Sequence, residues 1–434
     1  MSPLTTGILG IALLFLLFAS GMPIAFVMTL VGWLGYVYLS SLDGGLNILG
    51  ISFYAGGTTY TLSVIPLFVL MGQFASHAGL SHQLYWAVER WLGHRRGGLA
   101  MATVGACAGF AAISGSSVAT AATMGTVALP EMKKYRYGMS LATGTVAAGG
   151  TLGILIPPSA PLVFYAILTE LSVGKLFIAG ILPGIMLAAL FMLAINIQVR
   201  LNPELAPRGP GATFKERINA LKGVWGILVL FLIVMGGIYT GVFTPTEAAG
   251  IGAFGAFVFS LYTRKMAWHH FVASLRMTGQ TTGMIFIIVI GAYVFGYFLA
   301  VTRIPFELAD YMSGLEVSRY IILAGVVLIY TILGMFLDGW AIMVLTIPII
   351  HPMMVDLGFD PIWFGVMVVI MLEMALITPP VGVNVFIIKG VAKDVPMYTI
   401  FRGIWPFWIA MLVSLIILSI LPQIALFLPN TMKV

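Results

Sequence analysis

Apolar residues run along this chain in long blocks, at 4–20, 23–40, 62–78, 98–130, 138–170, 174–199, 223–243, 247–263, 277–301, 319–350, 362–392 and 403–428. Blocks of this length with almost no charge inside them predict helices at bilayer depth. One stretch keeps a different rhythm. Over 79–96, Leu80, Leu84, Val88, Trp91 and Leu92 recur at helical spacing, while His82, Glu89, Arg90 and Arg95 take the other faces. That pattern predicts a helix lying in the membrane interface.

Two blocks carry paired prolines, Ile156-Pro157-Pro158-Ser159 and Thr378-Pro379-Pro380-Val381. Proline removes an amide donor and clashes with the preceding turn, so both helices are predicted to break there. In hydrocarbon the freed backbone groups survive only where protein surrounds them or a wet cavity meets them. Interrupted helices at matching places in two halves are a sequence pointer to a transport site.

The match between halves rests on one offset of 222 residues. It carries Pro157 to Pro379, Pro158 to Pro380, the turn at Gly21-Met22-Pro23 to Phe243-Thr244-Pro245, and Ser114-Gly115-Ser116 to Phe336-Leu337-Asp338. The reading is therefore of two repeats. The first spans 1–200: scaffold spans over 1–78, an interfacial arm at 79–96, a hairpin at 98–130, a broken helix at 138–170 and a span at 174–199. A polar loop at 201–222 follows. The second repeat spans 223–434: scaffold spans over 223–301, a hairpin at 319–350, a broken helix at 362–392 and a last span at 403–428.

Charge adds an orientation. Block 98–130 is too short for two crossings, which need about 40 residues. Arg90, Arg95 and Arg96 precede it and Lys133, Lys134 and Arg136 follow. Under the positive-inside rule both its ends are cytoplasmic, so it should enter and leave by the same face as a re-entrant hairpin. Threading the chain from there leaves only Lys175, Arg303, Arg319 and Lys433, of 21 basic residues, outside the cytoplasm. The block at 319–350, flanked by Glu307, Asp310, Glu316, Asp356 and Asp360, then enters from the opposite face. The two repeats come out inverted, with both termini on the periplasmic side.

Composition agrees with a membrane address, at 60% hydrophobic and 8% charged residues, where a soluble domain carries about 25% charged. Fifty glycines suit close helix packing. The net charge of +6 gives no reason to expect nucleic acid, because the basic residues sit in short loops between apolar blocks. The single cysteine, Cys107, excludes a disulfide within the chain. Residues 4–20 lack a basic leader and a cleavage signal, and are read as a retained span.

The chemistry-bearing residues lie at the interruptions. A hairpin tip ends one half-helix and starts another, offering carbonyls to a cation and amides to an anion. At the first tip these are Ser114, Gly115, Ser116 and Ser117, with Thr120 and Thr123 beyond; close helix packing is the competing reading. The first break, from Gly149 through Ser159, offers free carbonyls and then a half-helix start with Pro161 in its opening turn. In the second break Thr378 and Asn384 are polar groups that lipid cannot satisfy. Asp338, at the second tip, is an ionisable group at membrane depth and hence a functional candidate. Glu373, five residues before the second break, is open between packing and function. Thr244-Pro245-Thr246-Glu247 has the spacing of a capping box. Cys107 and His351 lack partners at metal-ligand spacing.

These pieces suggest a transporter. An intramembrane serine hydrolase using Ser114 or Ser116 would need a nearby base, and no histidine falls at mid-membrane in this threading. The chain has no GxxxxGK[ST] loop, so it does not hydrolyse ATP through one. A passive anion channel, or a stand-alone sodium/organic-acid symporter, remains the alternative.

The runs GSSVAT, GTLGILIPPS, GIYTGVFTPTEAA, LITPPVG and GIWPF, in this order, resemble the large membrane subunit of tripartite ATP-independent periplasmic (TRAP) transporters. The resemblance implies an all-α polytopic protein of the bacterial inner membrane, not an enzyme, working as an elevator-type importer of a small organic anion. It implies coupling to two or more sodium ions and no organic cofactor. It implies two partners, a soluble periplasmic substrate-binding protein and a small four-span membrane subunit. Carried over residue by residue, one sodium falls at Ser114, Gly115, Gly153 and Pro158. The other falls at Gly334, Gly339, Thr378, Pro379 and Gly382. Ser114, Ser116, Ser159 and Asp338 fall on positions offered to substrate, to which the reading of the residues adds Asn384. Where sialic-acid members read MDLTP-like wording, this chain has Leu337-Asp338-Gly339-Trp340-Ala341, and Trp340 beside the site points to a small carboxylate or sulfonate.

Overall fold

A computed structural model describes residues 1–314 and 317–432, so Glu316 and Lys433 of the charge count lie outside the described residues. Among the described residues every regular element is helical. Two helices open the chain, α1 (Pro3–Ala19) and α2 (Ile24–Leu39), followed by α3 (Leu42–Thr58) and α4 (Val64–His77). The arm is α5 (Leu80–Leu92), and the first hairpin is α6 (Gly98–Ser114) with α7 (Ser117–Lys134). The first broken helix is α8 (Met139–Leu155) with α9 (Ala160–Thr169), bent by 42° between them, and α10 (Val173–Leu201) closes the first half.

The second half runs α11 (Phe214–Tyr239), α12 (Pro245–Tyr262), α13 (Trp268–Thr302) and α14 (Ile304–Ser313). The second hairpin is α15 (Arg319–Gly334) with α16 (Gly339–Asp356), and the second broken helix is α17 (Pro361–Ile377) with α18 (Val383–Val391). The chain ends on α19 (Met397–Ile420) and α20 (Gln423–Asn430). Among the described residues, α10, α11, α13, α16 and α19 are each long and apolar enough to cross a bilayer, and the bent pairs α3–α4 and α8–α9 do so jointly.

The 222-residue offset reappears in the helix boundaries. It carries both ends of α7 onto α16 and both ends of α8 onto α17, and it brings α9 to α18 and α5 to α14 within two residues. One pair differs. The first half bends by 50° between α3 and α4, whereas the matching stretch of the second half is the single 35-residue helix α13.

Several boundaries depart from the hydrophobic pattern. Helix α3 falls where the pattern predicts no apolar block, because Asp43, Asn47 and five glycines dilute its sequence; Ser41 starts it by accepting from Gly44 N at 3.1 Å. Helix α14 is a second element outside the predicted blocks. Helix α11 begins nine residues before 223, inside the predicted polar loop. There Thr213 Oγ1 and the Glu216 carboxylate form a capping box, with Thr213 N donating to Glu216 at 2.8 Å. The same device, predicted at Thr244 and Glu247, starts α12 with Pro245 in its first turn. The last block divides at Pro422 into α19 and α20.

Close approach by small residues holds the centre. A side chain at Gly403 of α19 would collide with the Ser140 carbonyl of α8, so these helices meet backbone to backbone. The halves also cross over. Helix α9 packs on α16 of the second hairpin, with Phe164 edge-on to Trp340 at 5.3 Å and the Tyr165 hydroxyl 2.8 Å from His351 Nδ1. Reciprocally, α18 packs on α7, with Ile388 against Gly125.

Candidate functional site

At the first tip, α6 ends on Ser114, and Gly115 turns the chain in the left-handed region at φ 60°. Ser116 then starts α7, its hydroxyl accepting from Ala119 N at 3.3 Å. The Ser114 and Thr120 hydroxyls lie 2.8 Å apart across the turn. Gly153 of α8 is pressed onto this tip. A methyl group there would lie 2.5 Å from the Ser116 carbonyl and 2.7 Å from Thr120 Oγ1, and one at Gly115 would lie 2.7 Å from the Pro158 carbonyl. On the opposite side, Gly72 of α4 abuts the carbonyls of Ile113 and Ser114.

The result is a knot of oxygens at the C-terminal end of α6: Ser114 Oγ, Ser116 O, Thr120 Oγ1 and Pro158 O. Carbonyl and hydroxyl oxygens gathered where helices break are the donor set that a hard monovalent cation takes. The first break completes the knot and is wholly buried from Ile156 to Ser159. Ser159 is spent locally, donating to the Ile154 carbonyl and accepting from Leu162 N at 3.3 Å. Both diproline bonds, Pro157-Pro158 and Pro379-Pro380, are cis.

The second tip is looser. Asp338 caps α16, its Oδ1 accepting from Trp340 N at 2.9 Å and Ala341 N at 3.0 Å. Gly334 packs on Ala375 of α17, but a methyl group placed at Gly339 would find its nearest neighbour, Leu372 Cδ2, at 3.8 Å. In the second break, Thr378 Oγ1 donates to the Met374 carbonyl at 2.5 Å and accepts from Trp408 Nε1 at 3.2 Å. Gly382 is left-handed at φ 53°, Pro379 is half-buried, and Pro380 and Val381 are exposed.

Both tips face one cavity of about 560 Å³, which Ser114, Gly115 and Ser116 line from one side and Asp338, Gly339 and Trp340 from the other. Of the sequence candidates, Ser159 and Pro158 lie beside this cavity in a cleft of about 20 Å³. Asn384 points elsewhere: it is buried in the first turn of α18, and its Nδ2 donates to the Ala147 carbonyl of α8 at 3.2 Å. Gly153, Gly334, Thr378, Pro379 and Gly382 back the tips or form the break without lining the cavity.

The cavity also has walls that sequence reasoning misses, Gln73 and Ser76 on α4 and Thr281 on α13. Their signal is present in the chain, since polar residues inside apolar helices turn to protein or water. Among the described residues no cluster of His, Cys, Asp or Glu could hold a metal. His351, without a partner at metal-ligand spacing, is bonded to Tyr165.

An all-helical membrane protein whose interrupted helices meet around a cavity carrying a few polar groups belongs to the class of membrane transporters. Known proteins narrow the class. The model of the family described as tripartite ATP-independent periplasmic transporter, DctM component, matches residues 11–424. The C4-dicarboxylate TRAP transporter large permease protein DctM of Pseudomonas aeruginosa is 40% identical over 384 residues, 88% of this chain and 89% of that protein. The sialic acid TRAP transporter large permease protein SiaM of Vibrio cholerae is 31% identical over 417 residues, 96% of each. In fold, the crystal structure of the Alcanivorax borkumensis YdaH transporter aligns with a TM-score of 0.63 at 16% identity, covering 89% of this chain and 88% of that one. This chain belongs to the TRAP transporter large permease family and is a multi-pass membrane protein.

Proposed function

We propose that this chain carries a small organic anion inward across the bacterial inner membrane, coupled to sodium, by an elevator movement of its hairpins and broken helices against the scaffold of α1–α4 and α11–α13. The observation that carries this reading is the meeting of both hairpin tips at one cavity, with an oxygen knot at the first. The cation takes Ser114, Gly115, Gly153 and Pro158, with Thr120 added from the geometry. A second cation takes Gly334, Gly339, Thr378, Pro379 and Gly382. Ser114, Ser116 and Asp338 face the anion across the cavity, and Ser159 holds the half-helix start behind them. Its periplasmic binding protein delivers the anion, and the small membrane subunit braces the scaffold.

The two halves are taken as inverted repeats with both termini periplasmic. On that orientation the cavity wall runs along α4 to Ser76 and along α13 to Met277, beside Arg276. This favours a conformation with its site turned to the cytoplasm. The relatives reported above carry a C4-dicarboxylate and sialic acid. Both are carboxylates, and the cavity with Trp340 in its wall favours the smaller kind.

Energetics favour more than one sodium. One sodium with a monoanion is electroneutral, so a tenfold gradient yields about 1.4 kcal/mol. Two sodiums add a second gradient and a charge moving through the membrane voltage, about 2.3 kcal/mol per 100 mV, for about 5 kcal/mol in total. The test is uptake of labelled succinate and smaller acids in proteoliposomes holding both membrane subunits, with the binding protein outside. Uptake should need sodium and rise with a Hill slope above one. Sodium-independent flux overturns the coupling, and a slope of one overturns the second sodium.

A further inference from the structure

Glu373 sits in the second half of α17, about one turn before its end at Ile377, 0% exposed, and neither carboxylate oxygen has a hydrogen-bond partner. Its neighbours along the helix, Ile370, Leu372, Met374 and Ile377, are buried and apolar. An ionised carboxylate left alone in such a place is too costly to persist, so the group is neutral or paired with a cation. Packing alone does not call for a carboxyl at this point. The residue 222 positions earlier is Thr151, also fully buried, whose hydroxyl donates to its own helix at Ala148 O, 2.6 Å away.

The helices packed on α17 supply no counter-charge. Helices α8 and α20 have no titratable residue. Tyr165 of α9 and His351 of α16 bond each other, Asp338 caps α16, and Tyr330 of α15 accepts from Thr346. Lys389 of α18 is held by the carbonyls of Lys393 and Val395. The remaining groups, Lys175 and Arg200 on α10, Arg319 and Tyr320 on α15, Asp356 on α16, and Tyr398 and Arg402 on α19, lie towards helix ends, and none bonds Glu373.

We propose that Glu373 is a proton-binding site that travels with the substrate, separate from the cation oxygens at the tips. The position suits the task. Leu372 and Leu376, on either side of it, line the cavity, and the exposed break at Pro380 and Val381 begins about two turns further along. Glu373 takes up a proton when this wall opens to one side, is carried neutral through the apolar bundle, and gives the proton up on the other side. As a coupled step, this rests on the transport reading above; the protonation state can be tested without it.

Dicyclohexylcarbodiimide is the probe, because it partitions into apolar protein and reacts only with the protonated carboxyl. The carboxyl proton passes to a carbodiimide nitrogen, an oxygen bonds the central carbon, and nothing leaves. Applied to the reconstituted wild-type complex, it should place an adduct on the peptide holding Glu373. The yield should fall about tenfold per pH unit once the carboxyl is mostly ionised. Absence of that adduct at every pH overturns the proposal, and this measurement requires neither a variant nor a known substrate. In proteoliposomes, sodium-driven succinate uptake by wild type should acidify the lumen more than the same uptake by Glu373→Gln. Equal proton movement by the two, at equal uptake, overturns the coupling. If sodium drives no uptake while the adduct forms, the transport reading fails and the protonated Glu373 stands.

Discussion

The two tip-and-break pairs are built on one plan and packed to opposite tightness. In the first, every residue of the break is buried and the tip is clamped between Gly72 and Gly153. In the second, Pro380 and Val381 are exposed, Gly339 has open space, and a further cavity of about 440 Å³ lies behind Asp338 and Trp340. Packed backbone oxygens make a rigid ion cradle, while a tip with room on both sides can shift as cargo enters or leaves. On the proposed function, the difference makes the first cation site the rigid one and leaves the second tip, with its own cation, the freedom to adjust.

The largest effect should come from filling the tight side. Gly153→Val drives a branched side chain into the Ser116 carbonyl and Thr120 Oγ1, and overpacking of this kind costs about 1–3 kcal/mol or more. Uptake should be lost and sodium-induced thermal stabilisation should shrink, with folding stability reduced, while the same substitution at Gly339, where a Cβ meets nothing nearer than 3.8 Å, should cost less folding stability. Equal damage at the two glycines would erase the contrast.

Next comes Asp338→Ala. It removes a helix cap, for which about 1 kcal/mol is usual, along with the acid facing the cavity. Uptake should be abolished with membrane insertion intact, and Asp338→Asn should restore the stability but not the transport. Recovery of both by asparagine would reduce Asp338 to a cap.

A smaller loss is expected from Gly382→Ala. Its left-handed backbone costs a non-glycine residue about 1–2 kcal/mol, yet the break around it is open enough to relax. Uptake should fall several-fold, measured as initial rate, with the first tip's sodium response unchanged.

The smallest effect concerns the ion pair of Lys133, at the end of α7, with Asp394, before α19, at 2.5 Å and exposed on both sides. The Lys133 hydrogen bond holds the Asp394 carboxyl below its usual range. Its contribution is therefore present above the unfolded carboxylate pKa and is lost as pH falls through the lower folded value. Exposed pairs are screened by salt, so Asp394→Ala should leave the melting temperature nearly unchanged near neutral pH.

What the sequence makes legible follows from what each residue announces by itself. Paired prolines in apolar blocks locate both breaks, and Ser-Gly-Ser and Leu-Asp-Gly locate both tips, because local backbone chemistry fixes them. Helices α3 and α14 escape the pattern because glycine and polar residues dilute them. Asn384 reads from sequence as facing the cargo, but its partner is a carbonyl on α8, more than two hundred positions away. Thr378 offers an oxygen whose engagement by Trp408 depends on how α19 lies. Partners set by crossing helices leave no trace in spacing.

Each half lends the short helix after its break to the other, α9 resting on α16 and α18 on α7. Like two people sitting on each other's chairs, neither can rise first. A fragment ending in the loop after α10 would keep α9 without its seat and α7 without its cover, so the gene should tolerate being cut in two only when both pieces are made together.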